Sequence, residues 1–145
     1  MQRFNYGLKP VYRDMNNPYT PTMISIITAR QCARINLADI VMVEQEARVI
    51  RIVTVDKVYT LYEKLRNIIY LFESRDFYLA NKFLVINFDQ VKDMEDGYIN
   101  FKNGQSISMG KNAFSRTRAE FRRYLENYPN YMMWDEPARV AENTN

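Results

Sequence analysis

The feature that most constrains the fold is a series of three short apolar runs with turn-forming residues between them. Residues 39–44, 49–55 and 58–60 are rich in valine and isoleucine, which fit the pleated, half-buried surface of a sheet. The polar connections, residues 45–48 and 56–57, have the length of hairpin turns. The pattern therefore predicts an antiparallel meander of three strands.

More strand signals lie on both sides of this meander. Residues 23–28 form a β-branched run, and residues 34–37 alternate polar with apolar side chains. After the meander, Asp96-Gly97 and Asn103-Gly104 are turn signals between alternating runs, and Asn-Gly is among the stronger of such signals. They predict strands over residues 91–95, 98–101 and 106–109.

Two segments change to the helical period. Residues 111–128 place apolar side chains on one face of a helix and carry a dense group of arginines. Earlier in the chain, apolar residues recur at the spacing i, i+4, i+7, i+8 and i+11, which predicts an amphipathic helix. These residues are Leu61, Leu65, Ile68, Ile69 and Phe72.

The order of elements predicts a mainly β (α+β) domain of small antiparallel sheets with two helices. We expect this domain to span residues 23–128 of the 145-residue chain. Residues 1–22 contain three prolines and read as an N-terminal arm without regular structure. Residues 129–145 read as a C-terminal tail that either docks on the domain or frays.

Composition narrows the function. The chain has no histidine and one cysteine, Cys32, so a Ser-His or Cys-His nucleophile system, a zinc pattern and an internal disulfide are all excluded. We expect no catalytic residues, no metal and no cofactor, and an enzyme remains only a remote alternative. The net charge of +3 is weakly in favour of a polyanionic partner. Because no run of about 20 apolar residues or signal peptide is present, we expect no membrane insertion and a cytoplasmic location.

The run FYLANKFLVINFDQV, residues 77–91, places Asn81 and Lys82 between two apolar segments. One interpretation is a polar kink or bulge between two strands. The other is a binding loop, because asparagine pairs with adenine N6 and N7, and lysine suits guanine or a phosphate. The residues alone leave the two interpretations open.

Several of these pieces resemble, in order and spacing, the LytTR (LytR/AlgR-type) family of DNA-binding domains from bacterial response regulators. Residues 39–44 are similar to the family's "dI.yiE" strand, and residues 77–91 to its "F-x-R-x-H-R-S-Y-x-V-N-x-x-x-I" segment. The hairpin at residues 99–104 resembles "l.l.nG", and residues 107–109 resemble "lpv". The resemblance covers about residues 24–128.

The resemblance implies a transcriptional regulator whose loops, at one rim of the strands, enter the major groove of double-stranded DNA. The candidate contact residues are polar or cationic and lie at strand breaks, at a turn or at the start of the last helix. They are Asn81, Lys82, Lys102, Asn103, Lys111, Asn112 and Arg116. Arg118, Arg122 and Arg123 add charge to the same helix, although such a run is more often a solvated face.

Some contact positions differ from the family pattern. Asn81 stands where the family has histidine, Lys82 where it has arginine and Phe83 where it has serine, while Gly110 and Lys111 replace its Ser-Arg pair. The alternative function is therefore a protein-interaction module that keeps the LytTR fold and has lost sequence-specific DNA binding. Acidic side chains on the same face as the lysines would favour this alternative.

Further expectations concern partners and regulation. The resemblance implies two copies, a possible homodimer, on paired half-sites. Ahead of residue 24 the sequence leaves no room for a receiver domain of ordinary length, so we expect regulation by expression level or by a regulatory protein partner.

Overall fold

Three antiparallel sheets make up most of the computed structural model, which describes residues 8–10, 22–127, 130, 132 and 133. This architecture confirms the predicted α+β class. The strands are β1 (Leu8–Pro10), β2 (Met23–Ile27), β3 (Cys32–Asn36), β4 (Ile40–Glu46), β5 (Val49–Thr54), β6 (Val58–Tyr62), β7 (Phe77–Asn81), β8 (Leu84–Asn87), β9 (Val91–Glu95), β10 (Tyr98–Phe101) and β11 (Ser106–Ser108). The helices are α1 (Leu65–Ile68) and α2 (Lys111–Glu126).

The central sheet has five strands in the order β6-β5-β4-β8-β7. Its first half is the predicted meander: Val43 pairs with Ile52 across β4 and β5, and Ile52 pairs with Tyr59 across β5 and β6. On the other side of β4, Val43 pairs with Val85 of β8. The central position of β4 explains why its first four residues are all buried.

Both faces of the central sheet are covered. Ile52 and Val85 face one apolar cluster together with Ile24 of β2 and Leu65 of α1. The neighbouring side chains along β5 and β8, which point the other way, face a second cluster formed with β9, β10 and α2. Burial on two faces therefore accounts for the continuous apolar runs that the sequence shows in place of strict alternation.

The N-terminal arm contains a strand, although the sequence predicts an arm without regular structure. Leu8–Pro10 forms strand β1, and Leu8 pairs with Ile26 of β2. Proline is tolerated here because β1 is an edge strand of the sheet β1-β2-β3. The rest of the arm, up to residue 21, and most of the tail lie outside the described residues.

The first predicted helix begins too early. Leu61 belongs to β6, where it pairs with Ile50, and the helix starts only at Leu65. The chain then continues as a 3-10 turn over Ile69–Phe72. Leu61 is buried as a residue of β6, and a residue on the inner face of a helix would be buried too. The spacing of apolar residues therefore did not reveal where β6 ends and α1 begins.

A buried asparagine fixes the crossing from β8 to β9. Asn87 is 1% exposed, its Nδ2 donates to the carbonyl of Ile40 at 2.7 Å, and its Oδ1 accepts from the amide of Asp89 at 3.0 Å. These bonds hold the start of β4 against the end of β8. No helix in the described part of the chain is long and apolar enough to cross a bilayer.

Candidate nucleic-acid interface

The turn between β7 and β8 explains the polar pair inside an apolar run. Asn81 ends β7, and its Oδ1 accepts a hydrogen bond from the amide of Phe83 at 2.8 Å, an Asx turn that reverses the chain. Lys82 and Phe83 are exposed, with the Lys82 Nζ 5.2 Å from the centre of the Phe83 ring. The pairing register also shifts between Leu79 and Asn81, as at a β-bulge, which re-aims the side chains that follow.

The hairpin between β4 and β5 lies directly beside this turn. The amide of Gln45 donates to the carbonyl of Phe83 at 2.9 Å, and the two-residue tip, Ala47-Arg48, follows immediately. Ala47 has φ +57°, a left-handed conformation that costs a residue with a Cβ atom about 1–2 kcal/mol. We call residues 47–48 and 81–83 together the hairpin rim.

Arg48 extends the positive charge of the hairpin rim and was not among the residues that the sequence singled out. It lines a groove of about 640 Å³ together with Lys64 and Arg66, at the start of α1. All three cations are exposed. The turn with Arg48 lies beside the turn with Lys82 because Gln45 bonds to Phe83, 38 positions further along the chain. No local motif in the sequence marks Arg48 for this reason.

The start of α2 has the features of an anion site. Gly110 is the N-cap and provides no side chain to cap the first amides of this 16-residue helix. Lys111 and Asn112 are exposed at this positive end of the helix dipole. The helix start can therefore bind a phosphate through both backbone amides and a cation.

A hydrogen bond defines where α2 lies relative to β7. The hydroxyl of Tyr124, near the end of α2, donates to Oδ1 of Asp76, just before β7, at 3.0 Å. Lys111 lies about 20 Å from Tyr124 along the helix, and Asn81 lies about 16 Å from Asp76 along the strand. The helix start and the hairpin rim are therefore both far from the contact between Tyr124 and Asp76. Apolar side chains close to each of them pack in the second apolar cluster.

Lys102 and Asn103 lie at the other end of the strands. The amide of Lys102 donates to the carbonyl of Gln90 at 2.9 Å, and Nε2 of Gln90 donates to the carbonyl of Ala38 at 2.8 Å, just before β4 begins. The hairpin rim lies beyond the other end of β4, about 20 Å away along that strand. The structure therefore does not bring Lys102 and Asn103 to the hairpin rim, and their contact with DNA stays a prediction.

The arginines of α2 divide into two groups. Arg122 pairs with Glu126 at 3.0 Å, and Arg123 pairs with Glu120, so half of this charge is balanced on the helix surface. Arg116 and Arg118 are exposed and make no salt bridge within the described residues. Of the four arginines, these two retain an unbalanced charge, and both lie in the first half of α2.

Acidic residues lie near both ends of the strands. Asp89 lines a groove with Lys102 and Tyr124. Glu95, at the end of β9, and Asp96, in a left-handed conformation with φ +57°, lie at the turn between β9 and β10. Tyr98 of β10 pairs with Glu95 on one side and with Ser108 of β11 on the other. This turn is therefore close to the end of β11, from which the chain enters α2. The hairpin rim carries two exposed cations, Arg48 and Lys82, and the exposed Glu46 directly precedes its tip. Among residues 22–127, no three potential metal ligands are grouped.

Comparison with known proteins gives two matches. The model of the LytTr DNA-binding domain family matches residues 30–122. Among solved structures, the chain is similar to a protein described as the LytTr DNA-binding domain of a methyl-accepting/DNA response regulator from Bacillus cereus, with a TM-score of 0.59 and 12% sequence identity. That match covers 68% of this chain and 95% of the other, and at this identity it shows the fold. No curated protein sequence matches the chain.

Proposed function

The chain belongs to the LytTR family of DNA-binding domains, and from this premise we propose that it is a transcriptional regulator that recognises a specific DNA sequence through the major groove. The observation that carries the proposal is the hairpin rim. There Asn81, Lys82 and Arg48 are exposed, and one backbone bond holds their two turns together. Donors at the tips of two adjacent turns suit a groove about 12 Å wide.

Base reading would fall to Asn81 and Lys82. The Oδ1 of Asn81 already accepts one bond from Phe83, but a carbonyl oxygen has two lone pairs and can accept a second from adenine N6. Its Nδ2 has no hydrogen-bond partner among the described residues and can donate to adenine N7. The ammonium of Lys82 suits guanine O6 and N7.

Backbone contacts would come from the start of α2. Lys111, Asn112 and Arg116 lie within the first two turns of the helix, where uncapped amides and unbalanced cations favour a phosphate. Such contacts orient the protein on the duplex without reading its sequence. Lys64 and Arg66, which line a groove with Arg48 of the hairpin rim and with Glu63, would add cations next to the rim.

Lys102 and Asn103 have no base-reading role in this proposal. A lysine side chain extends about 6 Å, which is less than the roughly 20 Å along β4 that separates Lys102 and Asn103 from the hairpin rim. The Oδ1 of Asn103 accepts from the amide of Gln105 at 3.0 Å, and Gly104 has φ +96°. Formation of the turn therefore accounts for the Asn103-Gly104 pair. Their predicted contact with DNA would require a different stretch of duplex.

We further propose two copies on paired half-sites and control by a regulatory protein, as the family resemblance implies. A selection experiment tests the central proposal. Random-sequence duplex is enriched over several rounds at about physiological salt by the natural chain, by the Asn81→Ala/Lys82→Ala double variant and by the Lys102→Ala/Asn103→Ala control. A motif shared by the natural chain and the control, and lost by the first variant, supports base reading at the hairpin rim.

Two exposed aromatic residues favour the second candidate function, a protein-interaction module. Phe83 is 46% exposed in the β7–β8 turn, and Tyr98 is 52% exposed on β10. The same selection separates the two functions. An interaction module would enrich no motif with any variant, and its residual DNA binding would fall steeply with salt in the manner of a generic polyanion contact.

A further inference from the structure

One edge of the central sheet is an open strand. Within the described residues, β6 pairs only with β5, so its other side forms the end of the sheet. Its sequence, VYTLY, contains neither the charge nor the proline with which proteins usually protect such an edge. A groove of about 430 Å³ lies beside it, and its lining includes Thr60, Leu61 and Tyr62 of β6, Val49 and residues 28–30.

The hydrogen bonds at the two ends of β6 establish which residues face outward. The amide of Glu63 donates to the carbonyl of Arg48 at 3.2 Å, and the amide of Thr54 donates to the carbonyl of Lys57 at 2.8 Å. Because the direction of backbone groups alternates along a strand, odd-numbered residues from 57 to 63 bond to β5. The N–H and C=O groups of Val58, Thr60 and Tyr62 therefore point away from the sheet.

This edge is complementary to itself. An antiparallel copy placed with Thr60 on a two-fold axis puts Thr60 opposite Thr60 and Val58 opposite Tyr62, so each outward group meets another outward group. Tyr62 is 82% exposed and would cover the valine of the other copy. About six backbone hydrogen bonds would form, two for each of the three pairs.

The flanking charges match in the same register. Lys57 of one copy lies opposite Glu63 of the other, and Asp56 lies opposite Lys64. Four opposite-charge pairings, two on each side of the axis, would thus border a neutral strand. In a register shifted by two residues, neither Lys57 nor Lys64 would lie opposite an acidic residue. The charges therefore also select one alignment of the two strands.

We propose that β6 is a dimerisation edge, where the β6 strands of two copies pair antiparallel about Thr60 and join two five-stranded sheets into one. The occupant is a second copy of this chain, because both the outward backbone groups and the flanking charges are complementary to themselves in one register. An isologous contact of this kind closes after two subunits.

The pairing has a consequence for DNA that rests on the proposed function. Arg48 lies at the Tyr62 end of β6, since Val49 pairs with Tyr62. In the antiparallel pair the two hairpin rims would therefore point in opposite directions. Such a dimer fits two separate segments of duplex, whereas two copies on one face of a duplex would meet through other surfaces.

Sedimentation velocity of the full chain across a concentration series tests the proposal. We expect a concentration-dependent species of twice the chain mass. Thr60→Pro removes the N–H group on the axis but no bond to β5, so it should raise the dimer dissociation constant at least tenfold, whereas the matched Thr60→Ala should leave it within about twofold. Circular dichroism checks that both variants fold.

A charge series decides the outcome even if the proline variant does not fold. Lys57→Glu places two glutamates opposite each other and should weaken the dimer at least fivefold, and adding Glu63→Lys should restore it. A natural chain that remains monomeric at several hundred micromolar overturns the proposal, as does a dimer that neither Thr60→Pro nor Lys57→Glu weakens. Capture of a different protein along β6 by a monomeric chain would also overturn it. The motif selected from random DNA by Lys57→Glu reports separately on the proposed function.

Discussion

Two turns of this molecule share one local design and lie at opposite ends of it. In the β7–β8 turn, Asn81 accepts from the amide of Phe83 at 2.8 Å, and in the β10–β11 turn, Asn103 accepts from the amide of Gln105 at 3.0 Å. Each asparagine has a lysine beside it in the sequence, Lys82 or Lys102. The Asx turn is thus a property of local sequence, which by itself does not distinguish a binding surface from an ordinary chain reversal.

The surroundings of the two turns differ. The first lies beside Arg48 at the tip of another hairpin, and the second lies by Gln90, on a groove that Asp89 also lines. Of the two turns, only the first adjoins another hairpin tip with an exposed arginine, Arg48. The comparison teaches that long-range packing, which decides the neighbours of a turn, distinguishes two turns of the same local design.

The largest expected effect separates the two turns by DNA affinity. Asn81→Ala/Lys82→Ala should weaken binding to the selected duplex about 100-fold, because removal of one side chain that reads a base costs about 1–3 kcal/mol. The matched pair Lys102→Ala/Asn103→Ala should change it by less than about threefold. Fluorescence anisotropy at fixed salt measures both, and an equal weakening in the two variants would contradict the distinction.

The next effect concerns phosphate contacts. Lys111→Gln should lower the slope of log affinity against log salt by about one unit, since one fewer counterion is released on binding. Lys102→Gln should leave that slope unchanged. Titrations at four or more salt concentrations give both slopes, and an unchanged slope for Lys111→Gln would remove the start of α2 from the interface.

The third effect should be the same for both turns. Asn81→Ala and Asn103→Ala each remove one side-chain bond to a turn amide, so each should lower the free energy of unfolding by about 1 kcal/mol. Asn103→Ala also removes the bond from Nδ2 of Asn103 to Oε1 of Gln105, which is exposed to water and should add little. Urea denaturation measures this quantity. If Asn103→Ala were far less costly than Asn81→Ala, the two turns would not share one design.

The smallest effect is a gain of stability at the hairpin rim. Ala47→Gly relieves the left-handed strain at φ +57° and should raise the free energy of unfolding by about 0.5–1 kcal/mol, part of the gain being offset by the larger entropy of the unfolded chain. Arg48→Gly, where no positive φ is found, serves as the control and should not stabilise the chain. A loss of stability with Ala47→Gly would show that the tip is not strained.

Much of the fold was predictable from the sequence because it depends on local patterns. The meander of β4, β5 and β6 follows from β-branched runs and short polar connections, and α2 begins at the predicted Lys111. The start of α1 was not predictable, because Leu61 is buried by pairing with Ile50, a contact that apolar spacing does not encode. Strand β1 depends equally on its pairing with β2.

The candidate site was predictable only as a set of separate residues. The polar pair inside an apolar run indicated Asn81, turn chemistry indicated Asn103, and the start of a helical period indicated Lys111. Whether these residues share a surface depends on bonds between distant positions, such as Gln45 to Phe83 and Lys102 to Gln90. The bond from Gln45 to Phe83 also places the hairpin tip that carries Arg48 beside the β7–β8 turn, which no single stretch of sequence reveals.

The most direct test of the central claim is a map of backbone amide shifts by NMR as the selected duplex is added to the full chain. If DNA binds at the hairpin rim, the largest changes should fall on residues 47–48, 81–83 and 110–112, while residues 102–105 remain near their free positions. Changes centred on residues 102–105, with the hairpin rim unaffected, would contradict the account.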